Sequence, residues 1–477
     1  MYCFIYHWRI RIALDLFKMI EELRNNIRNM KRDYVQALLL FCFLFPLFFQ
    51  LSGSIFTSKD FNFESEGSLF LIPLPIASIF CFIGIAILLR LEKKHFGMGF
   101  VFSMFVLMML STIVSTGGAH NAELAKFILL IQFILPMFAL VFGSLYLTPK
   151  SDYLRFEAVA LYVLLLIIPL EVISTIIRGS GLLSPYLHVF SLYQHLQYLP
   201  VIFVGLYFLT VNSLYKNNKL RFLIIFLAPW MGIYLTASMS ILTTMLAVMA
   251  TVISCWMLNK ERKTSYIILV MLLLWISYAI YYPTVKATDA YALKYSQTLQ
   301  PEDFAVDSRL KNSQLLELKQ QQKIYTKITE TLPKNKFIAL LPNNLKERFY
   351  YWGFYGKGIF DDPKIFLFGH ENRPDRNAYP SAHNYYLDLI YNFGVISVLP
   401  FIYLIFLTIR SCWQVTKSGL LTPGLAILIT VVGFFIFADN FLKVSFRQPY
   451  PGMVIFFLWG VLLTKVSISD ENLSTDT

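Results

Sequence analysis

Hydrophobic residues along this chain come in long unbroken runs, not in the alternation of a half-buried strand. Twelve runs stand out, near 34–56, 69–90, 96–116, 122–147, 155–178, 199–215, 220–236, 238–258, 264–284, 385–409, 420–438 and 449–465. A helix needs about 20 predominantly apolar residues to cross the hydrocarbon core of a bilayer. Only a helix satisfies its own backbone there without a closed barrel, and the outward-facing alternation of a membrane β-barrel is absent. The expected fold is an all-α polytopic membrane protein with about 12 transmembrane helices and one long, partly helical loop.

The polar intervals divide the chain. Residues 1–33 carry seven basic residues among apolar ones and no small-residue cleavage site, so they predict a basic amphipathic segment on an anionic membrane surface rather than a cleaved signal. Spans one to nine occupy 34–284, a large loop 285–383, spans ten to twelve 384–465, and a tail 466–477. If the amino terminus is cytoplasmic, the short inner segments hold 21 Lys and Arg residues. The short outer loops and span ends hold only Lys59, Lys126, Arg178, Lys443 and Arg447. That bias places both termini inside and the long loop outside. Within the loop, 308–331 reads as a helix with Ser308 as a candidate cap, and 363–382, with Pro363, Gly369, Pro374 and Pro380, reads as loop.

Composition narrows the class further. Of 477 residues, 57% are apolar and only 15% charged, against roughly 25% charged in ordinary soluble domains. A disordered chain and a typical cytosolic enzyme are excluded. The net charge of +12 would suggest nucleic acid in a soluble protein, but here it follows membrane topology. The five cysteines, Cys3, Cys42, Cys81, Cys255 and Cys412, have no CxxC or metal-ligand spacing, so neither a disulfide framework nor a zinc site is expected.

The stretch 381–400, SAHNYYLDLIYNFGVISVLP, carries the most chemistry. His383 and Asn384 stand where the long loop enters span ten, and imidazole is the side chain best suited to moving protons near neutral pH. The plainer reading of a lone interfacial histidine is a helix anchor. Tyr350, Tyr351, Tyr355, Tyr379, Tyr385 and Tyr386 could stack on sugar rings, although aromatics also collect at membrane interfaces for physical reasons alone. His188 and His195 lack the further ligands a metal needs. Glu171 lies inside span five, where an ionisable group is costly, near enough to the outer end to reach water. The run from Met98 to Met109 reads as lipid-facing packing.

The His383-Asn384 pair with Gly394 behind it resembles the signature of the bacterial O-antigen ligase and polymerase family. Arg348 and Trp352, in LKERFYYWGF, resemble the Arg-x3-Trp element of that family's outer loop. Phe368-Gly369 resembles its short Gly element, and ADNFLKVSFRQPYPG (438–452) its last outer turn. The likeness is sharpest over 345–400. One element departs: where the family usually has Thr-x-Ser-Arg, this chain reads Thr236-Ala237-Ser238-Met239-Ser240, and a thioether does not replace a guanidinium that grips phosphate. Arg178 and Arg447, near outer span ends, are candidates to supply that charge.

The resemblance implies glycosyl transfer from an undecaprenyl-diphosphate-linked glycan at the periplasmic face of a bacterial inner membrane. It implies no metal, nucleotide or redox cofactor, because the donor is already activated. The leaving diphosphate needs fixed positive charge and the acceptor hydroxyl a base. His383 and Arg348 are the expected catalytic residues; Asn384, Arg447, Arg178, Arg376, Trp352 and Gly369 are the expected substrate contacts. The expected activity is polymerisation of O-antigen or related repeat units. The alternatives are a ligase, which moves the glycan to lipid A–core or another acceptor, and a transporter of polysaccharide or lipid. Expected partners are the lipid-linked glycan, its acceptor, the membrane and other polysaccharide-assembly proteins, not nucleic acid.

Overall fold

A computed structural model describes residues 31–45, 76–89, 96–118, 124–146, 148–149, 151–178, 198–238, 240–298, 343–372 and 382–475. Every regular element among them is a helix. In chain order these are α1 (31–44), α2 (Ile76–Leu89), α3 (Phe96–Thr116), α4 (Leu124–Ser144), α5 (Phe156–Arg178) and α6 (Leu199–Ser213). Next come α7 (Asn218–Ala237), α8 (Ile241–Lys260), α9 (Thr264–Thr298), α10 (Asn343–Ile359), α11 (Pro363–Phe368) and α12 (Tyr385–Phe393). The last three are α13 (Leu399–Lys417), α14 (Pro423–Phe434) and α15 (Pro449–Thr475).

Among the described residues, nine helices are long and apolar enough to cross a membrane, and α2 and α6 are shorter apolar helices. The protein is an all-helical, multi-pass membrane protein. The expected helix at 308–331, His188, His195 and Arg376 lie outside the described residues, as does much of the first apolar run.

The core is a bundle around α15, buried along Tyr450–Val461. It packs most closely on α4 because both helices offer glycines where their backbones meet. A Cβ on Gly143 would strike the Phe457 backbone, and one on Gly460 would strike Leu140 and Gly143. Small residues at such contacts let helices approach in lipid, where water gives no hydrophobic push. Beside them Tyr385, Phe401, Phe446, Phe456 and Trp459 form an aromatic stack with centroids 4.9–6.1 Å apart. Trp459 Nε1 donates to Thr408 Oγ1 at 2.8 Å, so its polar edge is satisfied. Helix starts follow local rules: Asn217 caps α7, Ser240 caps α8 and Thr422 caps α14 through side-chain oxygens.

Several expectations are corrected. The run 385–409 is not one span. It breaks at Gly394 into the short helix α12, a 3₁₀ turn Val395–Val398 and α13. Gly394 adopts φ 70° and ψ 172°, a conformation essentially reserved for glycine, and Pro400 then starts α13 cleanly. Residues 363–368 form α11 rather than loop. Asp362 caps it, Pro363 opens it and Gly369 closes it, so the punctuation that read as loop bounds one short helix. Glu171 does not reach water. It is 3% exposed, hydrogen-bonded with Tyr234. Of the methionine run, Met104 and Met108 are buried in the bundle, while Met98 is exposed.

A charged layer at one end of the bundle

Helices α10, α11 and α12 form a layer over one end of the bundle, resting on the end of α3 and the start of α4. Its small core is Tyr351, Tyr355, Ile359, Ala382 and Tyr391. The tyrosines offered as sugar platforms therefore divide. Tyr351, Tyr355 and Tyr385 are fully buried and serve packing, and the Tyr386 hydroxyl donates to Ile436 O at 2.8 Å.

The layer is clasped to the bundle at its helix C-termini. Helices α11 and α12 end head to head, each on a glycine of positive φ (Gly369, 76°; Gly394, 70°). A Cβ on either would enter the other helix's last backbone: Asn392 and Phe393 for Gly369, Leu367 and Phe368 for Gly394. Carbonyl groups at a helix C-terminus are left without intrahelical donors. Here α3 and α4 supply donors. Ser111 Oγ lies within hydrogen-bond reach of Phe368 O and of Phe393 O (2.6 Å), and its single proton serves one at a time. Lys126, 3% exposed, donates to His370 O and to Ser115 Oγ (2.9 Å), with its ammonium 5.8 Å from the centre of the Phe393 ring. A cation is favourable against C-terminal carbonyls.

His383 lies at the start of α12 in a left-handed conformation, φ 46°, uncommon for a residue with a Cβ. Its ring stacks on Tyr351, centroids 5.7 Å apart and planes at 29°. Asn384 is 6% exposed and its Oδ1 accepts from Tyr386 N (3.0 Å) and Leu387 N (3.1 Å). Asn384 is thus the N-cap of α12: its carbonyl oxygen anchors the helix that carries His383, instead of pointing at a ligand.

The chain after α14 closes the other side. A π-helical turn, Phe435–Asp439, brings Asp439 inward. Asp439 pairs with Lys443 (3.5 Å) and accepts from Ser445 Oγ. Lys443 O accepts from Tyr385 N at 3.1 Å, which ties this turn to the His383 turn. The Lys443 ammonium sits 5.4 Å from the centre of the Tyr198 ring. Burial pulls its pKa down, Asp439 pushes it back up, and the nearby positive charge of Arg348 lowers it again.

Arg447 pairs with Asp388, at 13% and 3% side-chain exposure, and lies over the Phe133 ring at 5.7 Å. Asn392 Nδ2 holds the Asp388 backbone carbonyl at 2.7 Å. A buried pair of this kind costs about 3–5 kcal/mol to break from one side. Arg447 is therefore bound first to the protein itself.

Trp352 packs edge-on against Phe349, 5.3 Å between centroids, and its buried Nε1 has no hydrogen-bond partner among the described residues. Gly369 serves the clasp. Arg178 ends α5, and nothing of its side chain is described. No group of three metal-ligating side chains occurs among the described residues.

No known protein family, curated protein or solved structure matches this chain.

Sequence reasoning missed Ser111, Lys126, Asp388 and Lys443 as parts of this layer, and reached Asp439 only through the resemblance of 438–452 to a family turn. The available signal was a charge within or beside an apolar run, which is costly unless paired. Partners 59 residues apart, as for Arg447 and Asp388, leave no local pattern.

His370 is expected to give the layer a pH dependence. Its ring stacks on Tyr391 at 4.0 Å and its Nε2 donates to Gly358 O at 3.2 Å. Burial lowers its pKa below the ordinary value, against the raising effect of Gly358, and the Lys126 charge lowers it further. The unfolded layer then binds more protons than the folded one once pH falls below about 6.5. The contribution of His370 is fully present above that value and is lost as pH falls through the window below it. Hydrogen exchange across 385–393 is expected to quicken as pH falls from 7 to 5, after correction for intrinsic exchange. His370→Asn should flatten that dependence. An equal dependence in the variant would show that other groups set it.

Proposed function

We propose that the protein is a membrane glycosyltransferase that takes an undecaprenyl-diphosphate-linked glycan as donor, most simply a polymerase of O-antigen or related repeat units. The observation that carries this reading is the gathering of polar chemistry at one end of the bundle. There His383, Arg348, Lys443 and the Arg447–Asp388 pair share one layer beside Asp439. A transporter would instead need polar groups along a path through the middle. Among the described residues Glu171 is a carboxylate within a span; it interacts with Tyr234 and keeps Oε2 buried without a hydrogen-bond partner, a single site and not a file of polar groups.

The chemistry follows from charge. An acceptor hydroxyl attacks the anomeric carbon of the donor sugar, forming a new C–O bond. The bond to the diphosphate oxygen breaks, and its electron pair leaves with undecaprenyl diphosphate. The hydroxyl proton passes to a base, for which His383 is the candidate. Negative charge that builds on the diphosphate is stabilised by fixed cations aimed at it. Arg348 is the candidate with a planar fork. Lys443 is already paired with a carboxylate, Asp439, as Arg447 is with Asp388. The opposite end carries Lys216, Lys219, Arg221, Lys260, Arg262, Lys263, Arg410 and Lys417, which favours that end as cytoplasmic and the layer as periplasmic.

Deleting the protein from its bacterium separates the readings. A polymerase predicts surface lipopolysaccharide with a single repeat unit. Bare core lipid, with long glycan accumulating on undecaprenyl diphosphate, would assign the ligase reaction instead. Lipid-linked repeat units trapped on the cytoplasmic side would replace both with transport.

A further inference from the structure

At the end of the bundle away from the charged layer, α1 and α2 diverge around a cleft of about 280 Å³. Its walls are apolar, with Val35, Leu39, Ile87 and Phe142 among them, and Lys31 and Arg32 stand at its mouth. Tyr34, Val35 and Leu38 are exposed on α1, so this flank faces the bilayer and the cleft is open to it.

The cleft lies against a polar cluster that ties the same end together. Gln36 lines the cleft, and at the same end buried Glu157 pairs with Lys465 (2.6 Å) and Arg155 (3.8 Å). Among the described residues, the charged side chains that line the cleft are Lys31 and Arg32. Asp33 is buried and lies 3.8 Å from Arg32 Nε, too far for a hydrogen bond. Arg32 Nε is buried and donates no hydrogen bond among the described residues. A buried donor left without an acceptor calls for one.

We propose that this cleft binds one anionic phospholipid, with its phosphate against Lys31 and Arg32 and part of one acyl chain between α1 and α2. The apolar walls fit a hydrocarbon chain and reject a free ion. Two cations at the mouth favour an anionic headgroup over a zwitterionic one, and basic pockets between transmembrane helices bind anionic headgroups in this way. The site would fasten α1, which opens the described chain, to the rest of the bundle. It is independent of glycosyl transfer.

The test uses the full-length protein in detergent micelles, titrated with dioleoyl phosphatidylglycerol or dioleoyl phosphatidylcholine and read by native mass spectrometry. Phosphatidylglycerol is expected to bind saturably and at least tenfold more tightly than phosphatidylcholine. Each basic residue near an anionic headgroup contributes about fivefold. The double variant Lys31→Gln, Arg32→Gln should therefore weaken phosphatidylglycerol roughly twenty-fivefold and leave phosphatidylcholine unchanged. Val35→Trp keeps both charges, closes the apolar part of the cleft and should also weaken the lipid, which covers the case of a charge variant that folds poorly. Glycerol 3-phosphate, which has the headgroup charge without a chain, should not displace the lipid. Equal affinity for the two lipids, insensitivity to either variant, or displacement by glycerol 3-phosphate would overturn the proposal.

Discussion

Replacing Gly394 with valine is expected to release the charged layer from the bundle while the membrane spans stay intact. The residue sits at φ 70° and ψ 172°, where a side chain costs about 1–3 kcal/mol in backbone strain. Its Cβ would meet the backbone of Leu367 and Phe368. That backbone is packed against the other helix end, with Ser111 within hydrogen-bond reach of both Phe368 O and Phe393 O. Overpacking of a fixed contact adds about 1–3 kcal/mol, so the combined penalty is about 2–6 kcal/mol. Hydrogen exchange should speed up across 363–368 and 385–393 and remain slow in α4 and α15. Unchanged protection in both short helices would show that the clasp does not hold the layer.

The same clasp shows how much of this architecture the sequence discloses. Spans such as α4, α8 and α14 are legible because about 20 apolar residues in a row have few other uses. The break at Gly394 is not, since a glycine inside an apolar run is tolerated in many membrane helices. What decides it is the backbone of Leu367, brought there by tertiary packing. Helix α11 was hidden by its own punctuation: Pro363 and Gly369 mark a loop or the two ends of a short helix equally well.

For the candidate site, residue type was informative and partnership was not. His383 drew attention as an imidazole at the loop entry, where a helix anchor was the plainer reading, and Arg348 only through its resemblance to a family element. That Asn384 serves as a helix cap, that Arg447 is engaged by Asp388, and that Lys126 seats two helix ends all depend on contacts made across the bundle. Lys126 and Lys443 looked like ordinary outer charges. Both are buried, and burial of an ammonium group demands partners, which the fold supplies as the His370 carbonyl and the Ser115 hydroxyl in one case and Asp439 in the other.

The second large effect concerns His383. It holds its place through backbone geometry, stacking on Tyr351 and the Asn384 cap beside it. An alanine there removes the imidazole and leaves both glycines of the clasp in place. Loss of a positioned base costs about a hundred- to ten-thousandfold in rate. Arg348→Lys keeps the charge but loses the planar fork, and should cost roughly tenfold or more.

The most direct measurement is glycan transfer by the purified, membrane-reconstituted protein given undecaprenyl-diphosphate-linked repeat units, with wild type and His383→Ala compared at equal melting temperature. The account predicts release of undecaprenyl diphosphate and lengthened glycan from wild type, with loss of both in His383→Ala. Undiminished transfer by the variant would contradict the assigned site, and no transfer by wild type with competent donor and acceptor would contradict the function.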